Sequence, residues 1–154
     1  MSAIFAERRV DHSALRVNQA FIIGLLVLAF LLNSVPLVAF VSLVMLAGTV
    51  FRPLALFQQV YLRLLRPLGI VSPDVVPDNP EPHRFAQGFG GAVLALAVLA
   101  LVTGGIVLGW ALAWLVVALA AANLFLGFCA GCFLYYQLNR LGVPGFTHSP
   151  LPRE

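Results

Sequence analysis

Two long runs of the chain carry no ionisable side chain: no Asp, Glu, Lys, Arg or His falls from Val17 to Phe51 or from Phe85 to Leu138. A charge in hydrocarbon is costly, whereas a helix of about 17–25 mainly apolar residues satisfies its own backbone and can cross a bilayer. These runs point to membrane-spanning helices before any other feature is considered. Composition agrees: of 154 residues, 61% are hydrophobic and 10% charged, against roughly 25% charged in a soluble domain. With a mean hydropathy of +0.98, an ordinary water-soluble globule is excluded.

Local punctuation divides the runs into four expected spans, about 17–35, 36–51, 85–103 and 107–138. Asn33, Ser34 and Pro36 split the first run, and Gly104 and Gly105 split the second. The second span is short enough to thin a bilayer locally. The fourth is long enough to tilt or to project beyond the headgroups. A cleaved signal peptide is an alternative for the first stretch, since Arg8, Arg9 and Arg16 precede it, but no small-residue cleavage site follows. The expected fold is a single all-α membrane domain of four transmembrane helices as two hairpins, without an internal repeat.

All nine basic residues are arginine. Arg8, Arg9 and Arg16 precede the first span, Arg52, Arg63, Arg66 and Arg84 lie between the second and third, and Arg140 and Arg153 follow the fourth. None lies in the two short turns. The positive-inside rule makes the arginine-bearing face cytoplasmic, with both termini inside and the protein in a bacterial inner membrane. The absence of lysine beside so much Ala, Leu, Val and Gly fits a GC-rich bacterial genome. The net charge of +3 is then an orientation signal, and the scattered arginines do not form a nucleic-acid footprint.

Between spans 2 and 3, Leu54, Phe57, Tyr61, Leu64 and Leu65 fall near one helical face, with Gln59, Arg63 and Arg66 on the other. That pattern predicts an interfacial amphipathic helix over 54–66, or a plain extension of the second span. Pro67, Pro73, Pro77, Pro80 and Pro82 then mark 67–82 as an extended linker.

Both cysteines lie in the fourth stretch. Cys129 and Cys132, at i and i+3, fall on one side of a helix, a spacing that suits a redox disulfide or half of a soft-metal site. His12, His83 and His148 lie outside the spans, so no histidine completes a metal set and none is expected to bind. Packing is the competing reading, because cysteine is small and Gly127, Ala130 and Gly131 favour close helix approach. Buried thiols also have a raised pKa, so reactivity needs water or a positive neighbour. Arg84 and Gln87 open the third span and Asn18 opens the first, beside Gln19. With Asn123, the one amide deep in a span, they define an expected polar pocket near the lower half of the fourth. Tyr135 and Tyr136 form one aromatic belt and Trp110 and Trp114 the other. The lack of intramembrane charge argues against an ion-coupled transporter or channel.

Val10-Asp11, Pro82-x-Arg84-Phe85-Ala86-Gln87-Gly88 and Cys129-x-Gly131-Cys132-x-x-Tyr135 together resemble a family of bacterial integral membrane proteins defined only as a domain of unknown function. The resemblance covers roughly residues 10–141, with His12 standing where the family opening has a basic residue. It implies a four-span protein encoded near thioredoxin-like and thiosulfate sulfurtransferase-like proteins in actinobacterial genomes. On that basis the expected function is a thiol-disulfide or sulfur relay through Cys129 and Cys132, exchanging with a cytoplasmic thioredoxin-like or sulfurtransferase-like partner, with no cofactor. Four-helix membrane oxidoreductases that pass electrons to quinone use a second cysteine pair, which this chain lacks. The alternative is a non-enzymatic membrane subunit or scaffold whose small-residue faces pack against a partner or another copy.

Overall fold

In a computed structural model, which describes residues 9–145, the chain is mostly helical. Arg8, Arg153 and His148, used above for orientation and chemistry, lie outside the described residues. A short strand β1 (Arg9–Asp11) leads into helix α1 (His12–Leu31), which turns back through Asn33 into α2 (Val35–Val50). After a 3-10 turn at Arg52–Leu54 come the short helix α3 (Leu56–Val60), a π-helical turn (Tyr61–Leu65) and strand β2 (Val75–Pro77). The second half consists of α4 (Pro80–Val102), α5 (Ile106–Leu126) and α6 (Ala130–Arg140).

The turn signals act as their chemistry requires. Asn33 adopts a left-handed φ of 49° and Gly104 one of 94°, reversing the chain between α1 and α2 and between α4 and α5. Pro36 sits in the first turn of α2, where its missing N–H costs nothing. At about 1.5 Å per residue, α1, α4 and α5 are long and apolar enough to cross a membrane, whereas α2, with 16 residues, is shorter.

The bundle core is largely apolar: Ile22, Leu26 and Ala29 of α1 meet Val38, Val41 and Met45 of α2, Leu94 of α4, and Trp110, Ala113 and Val117 of α5. Close approach of α2 and α4 depends on small residues. A side chain at Gly88 would meet Thr49, one at Gly91 would meet Leu46, and Ser42 Oγ donates to the Gly91 carbonyl at 2.9 Å. The outer surface is equally apolar, with Val107 86% and Phe125 77% exposed. Water would not tolerate so continuous an apolar exterior.

Three local expectations change. The stretch 107–138, expected as one span, is two helices, because Gly127 takes a left-handed φ of 67° and ends α5. The linker 67–82 is not wholly irregular: β2 pairs antiparallel with β1, Val10 opposite Val76. The amphipathic segment is a single α-helical turn and a π turn, closed by Arg66 N–H donating to the Tyr61 carbonyl. Phe57 and Tyr61 are buried, whereas two residues expected on the same face are exposed: Leu54, which belongs to the separate 3-10 turn, and Leu64, whose register the wider turn shifts.

Candidate functional site

Cys129 and Cys132 form a disulfide at the start of α6. Since Gly127 ends α5 two residues earlier, Cys129 is the N-cap of a new helix: its Sγ accepts the Cys132 backbone N–H at 3.2 Å. The unpaired amides at a helix N-terminus favour negative charge, which stabilises a thiolate there. Cys129 is half-buried and Cys132 buried.

Gly131 sets how close this turn lies to α4, because a side chain on it would collide with Ala86. The contact brings the first turn of α4 to the disulfide. His83 Nδ1 lies 3.4 Å from Cys132 Sγ, and its Nε2 lies 2.9 Å from Asp78 Oδ2. The same Asp78 oxygen meets His12 Nε2 at 3.3 Å, while Oδ1 accepts the Asn79 backbone N–H at 2.8 Å. Burial pushes the Asp78 carboxyl up, but the His83 bond and charge, the Asn79 N–H and the His12 bond outweigh it and leave it below the ordinary 3.8. In the tautomer that carries its proton on Nε2, the ring donates to Asp78 and presents the Nδ1 lone pair to the sulfur. Three donor atoms, from His83, Cys129 and Cys132, lie within 4.8 Å of one another.

Beside the disulfide is a cavity of about 200 Å³. Asn18, Gln87 and Asn123, three of the four expected pocket residues, line it together with Cys129, His83 and Gln19. Asn18 is 4% exposed, and no hydrogen bond to its amide occurs among the described residues. Apolar walls come from Ile22, Met45, Val93 and Leu119. Arg84, the fourth expected member, is not brought to this cavity. Its guanidinium donates to the Thr49 carbonyl at 2.6 Å, satisfying the end of α2, and it lines a neighbouring cavity with Asp11 and Gln87.

His83 and Asp78 escaped sequence reasoning because neither lies in a span and both are far from the cysteines along the chain. The available signal was orientation, since the start of the third span and the end of the fourth share the arginine-bearing face.

The family described as Domain of unknown function (DUF4395) matches over residues 10–140. The chain belongs to this family. No curated protein and no solved structure matches it. In this DUF4395 chain the segment Arg84–Gly88 works as a clamp on two neighbouring helices. Arg84 and Gln87 bond the Thr49 and Met45 carbonyls of α2, Phe85 packs on Tyr135 of α6, Ala86 touches Gly131, and Gly88 admits Thr49. Asp11 does comparable work at the chain's start. It caps α1 at Ser13 and Ala14 and accepts the Tyr61 hydroxyl at 2.9 Å and the Asp74 N–H at 3.1 Å.

Proposed function

We propose that this protein is a four-span component of a thiol-disulfide relay, in which Cys129 and Cys132 exchange with the dithiol of a cytoplasmic thioredoxin-like partner. The observation that carries this reading is the disulfide at the N-terminus of α6, set in the wall of a cavity that Asn18, Gln87 and His83 also line. In the proposed topology α2 is the short second span, which brings the number of spans to four. The end bearing Arg9, Arg16, Arg63, Arg66, Arg84 and Arg140 faces the cytoplasm, with α3 and the turn after it in the headgroups.

The exchange is a two-electron step. A partner thiolate attacks Cys129 Sγ, the more accessible sulfur, forming a mixed disulfide and breaking the bond to Cys132. Cys132 leaves as a thiolate, takes a proton, and the resulting thiol donates to His83 Nδ1. The partner's second thiolate then attacks its own sulfur in the mixed disulfide, releasing Cys129. The partner ends oxidised, the pair ends as a dithiol, and the two thiol protons have passed from partner to pair. Once the pair is a dithiol, the Cys129 thiolate could instead attack the outer sulfur of a persulfide on a sulfurtransferase-like partner, taking that sulfur as its own persulfide and releasing the partner's thiolate.

Trapping tests it. With a thioredoxin-like partner that lacks its second cysteine, the wild-type pair should hold that partner on Cys129 in a reducible conjugate seen as a mass shift, and Cys129→Ser should hold none. If wild type traps no such partner and the pair resists reduction by intact thioredoxin, the relay is wrong. The scaffold reading, favoured by the tight Gly131–Ala86 contact and the burial of Cys132, predicts that outcome together with an intact complex in the double Cys129→Ser, Cys132→Ala variant.

A further inference from the structure

A histidine with one nitrogen on a carboxylate and the other on a cysteine pair has a use that thiol exchange does not require. In a tetrahedral zinc site, Zn–S of about 2.3 Å and Zn–N of about 2.0–2.1 Å place a sulfur and a nitrogen ligand about 3.5 Å apart. Cys132 Sγ and His83 Nδ1 already stand 3.4 Å apart, and Cys129 Sγ completes a triangle of donors within 4.8 Å. Histidine ligands ordinarily give their second nitrogen to a carboxylate that fixes the ring and its tautomer, and Asp78 does this here at 2.9 Å. The Cys132 N–H bond to Cys129 Sγ supplies the amide contact that a metal-bound thiolate needs. Both halves of the site are held by helix packing, since the Gly131–Ala86 contact fixes α6 against α4.

We propose that the reduced Cys129–Cys132 pair and His83 form a three-donor Zn²⁺ site, oriented by Asp78, that exists only while the disulfide is open. The balance is simple. A dithiol reductant gives two electrons and two protons to the disulfide, breaking the S–S bond and becoming a disulfide itself. The resulting thiols release two protons as Zn²⁺ binds both sulfurs and His83 Nδ1. Oxidation by a disulfide reverses this and expels the ion. The fourth coordination position opens towards the cavity that Cys129 and His83 line, the arrangement of zinc sites that keep an exchangeable ligand. This requires only that the pair be reducible, and no relay partner.

The test uses the full chain in detergent micelles, reduced and freed of excess reductant, and titrated with Cd²⁺ as a spectroscopic probe and with Zn²⁺ against a chromophoric chelator. The reduced protein should take up about one equivalent with a thiolate-to-metal charge-transfer band, and the oxidised protein should show none. Asp78→Asn should weaken binding by about 10–100-fold. His83→Ala should weaken it at least as much, and Cys132→Ser should remove the band. Far-ultraviolet circular dichroism checks that each variant keeps its helices, and the oxidised wild type is a control that needs no substitution. Binding by the oxidised protein would assign the ion to His12, Asp78 and His83 and overturn the proposal. So would a reduced protein without a band, or affinity unchanged in His83→Ala. Trapping a thioredoxin-like partner can succeed or fail whatever this titration shows, so the two readings fail separately.

Discussion

The two ends of the helical bundle are built on different terms. At one end the chain only reverses: Leu32–Ser34 and Thr103–Gly105 are held by backbone bonds, one threonine hydroxyl and two left-handed residues. At the other end Asp11, Tyr61, Asp78, Asn79, His83, Arg84 and the cysteines form a dense polar assembly. Hydrocarbon offers no partners to polar groups, so a bundle of apolar helices can place its specific bonding only where water or protein can complete it. The bare turns therefore mark where the chain folds back, and the polar end marks where it is told apart from any other apolar bundle.

Substitutions can break that contrast, and the largest effect belongs to Asp11. Asp11→Ala removes a helix cap worth about 1 kcal/mol and leaves the buried Tyr61 hydroxyl without its acceptor at about 1–3 kcal/mol. A loss of about 3 kcal/mol in a denaturing-detergent titration is expected, with Asp11→Asn losing less. A loss below about 0.5 kcal/mol would mean that the polar end does not hold the bundle.

Gly131→Ala comes next, because its new methyl group meets Ala86 backbone and side chain with no flexible atom to yield. Overpacking of this kind costs about 1–3 kcal/mol. Adding Ala86→Gly should recover part of it, and a double-mutant cycle without coupling would show that the two helices are not in contact there. Gly104→Ala, at the bare end, should cost the least, about 1 kcal/mol, since open space surrounds it and only its positive φ resists. Should Gly104→Ala prove costlier than Asp11→Ala, the ends have been assigned the wrong roles.

Much of the helical layout was legible because it is written in long-range absence: runs without charge, interrupted by Asn33 and by Gly104 and Gly105. Hydropathy is blind to a break that changes φ but not polarity, so Gly127 passed for a packing glycine inside one long helix. Three-residue strands such as β1 and β2 are too short to show alternation, and their pairing joins distant segments. Asn18, Gln87, Asn123 and Cys129 could be grouped because each opens or lines a helix whose direction the arginines indicate. Arg84 was grouped with them for its charge, and it lines the neighbouring cavity instead, with its guanidinium on the Thr49 carbonyl at the end of α2. His83 was invisible for the opposite reason, since nothing local to it announces a cysteine 49 positions away.

The bond from Asp74 N–H to Asp11 spans 63 residues, and between those two points lies the whole hairpin of α1 and α2. A hairpin that has already doubled back brings these two points together, so the latch adds little further loop-closure cost. It ties the start of the first hairpin to the segment that leads into the second. The short ribbon of β1 and β2 extends that tie, and the helix that brings His83 to the cysteines begins immediately after it.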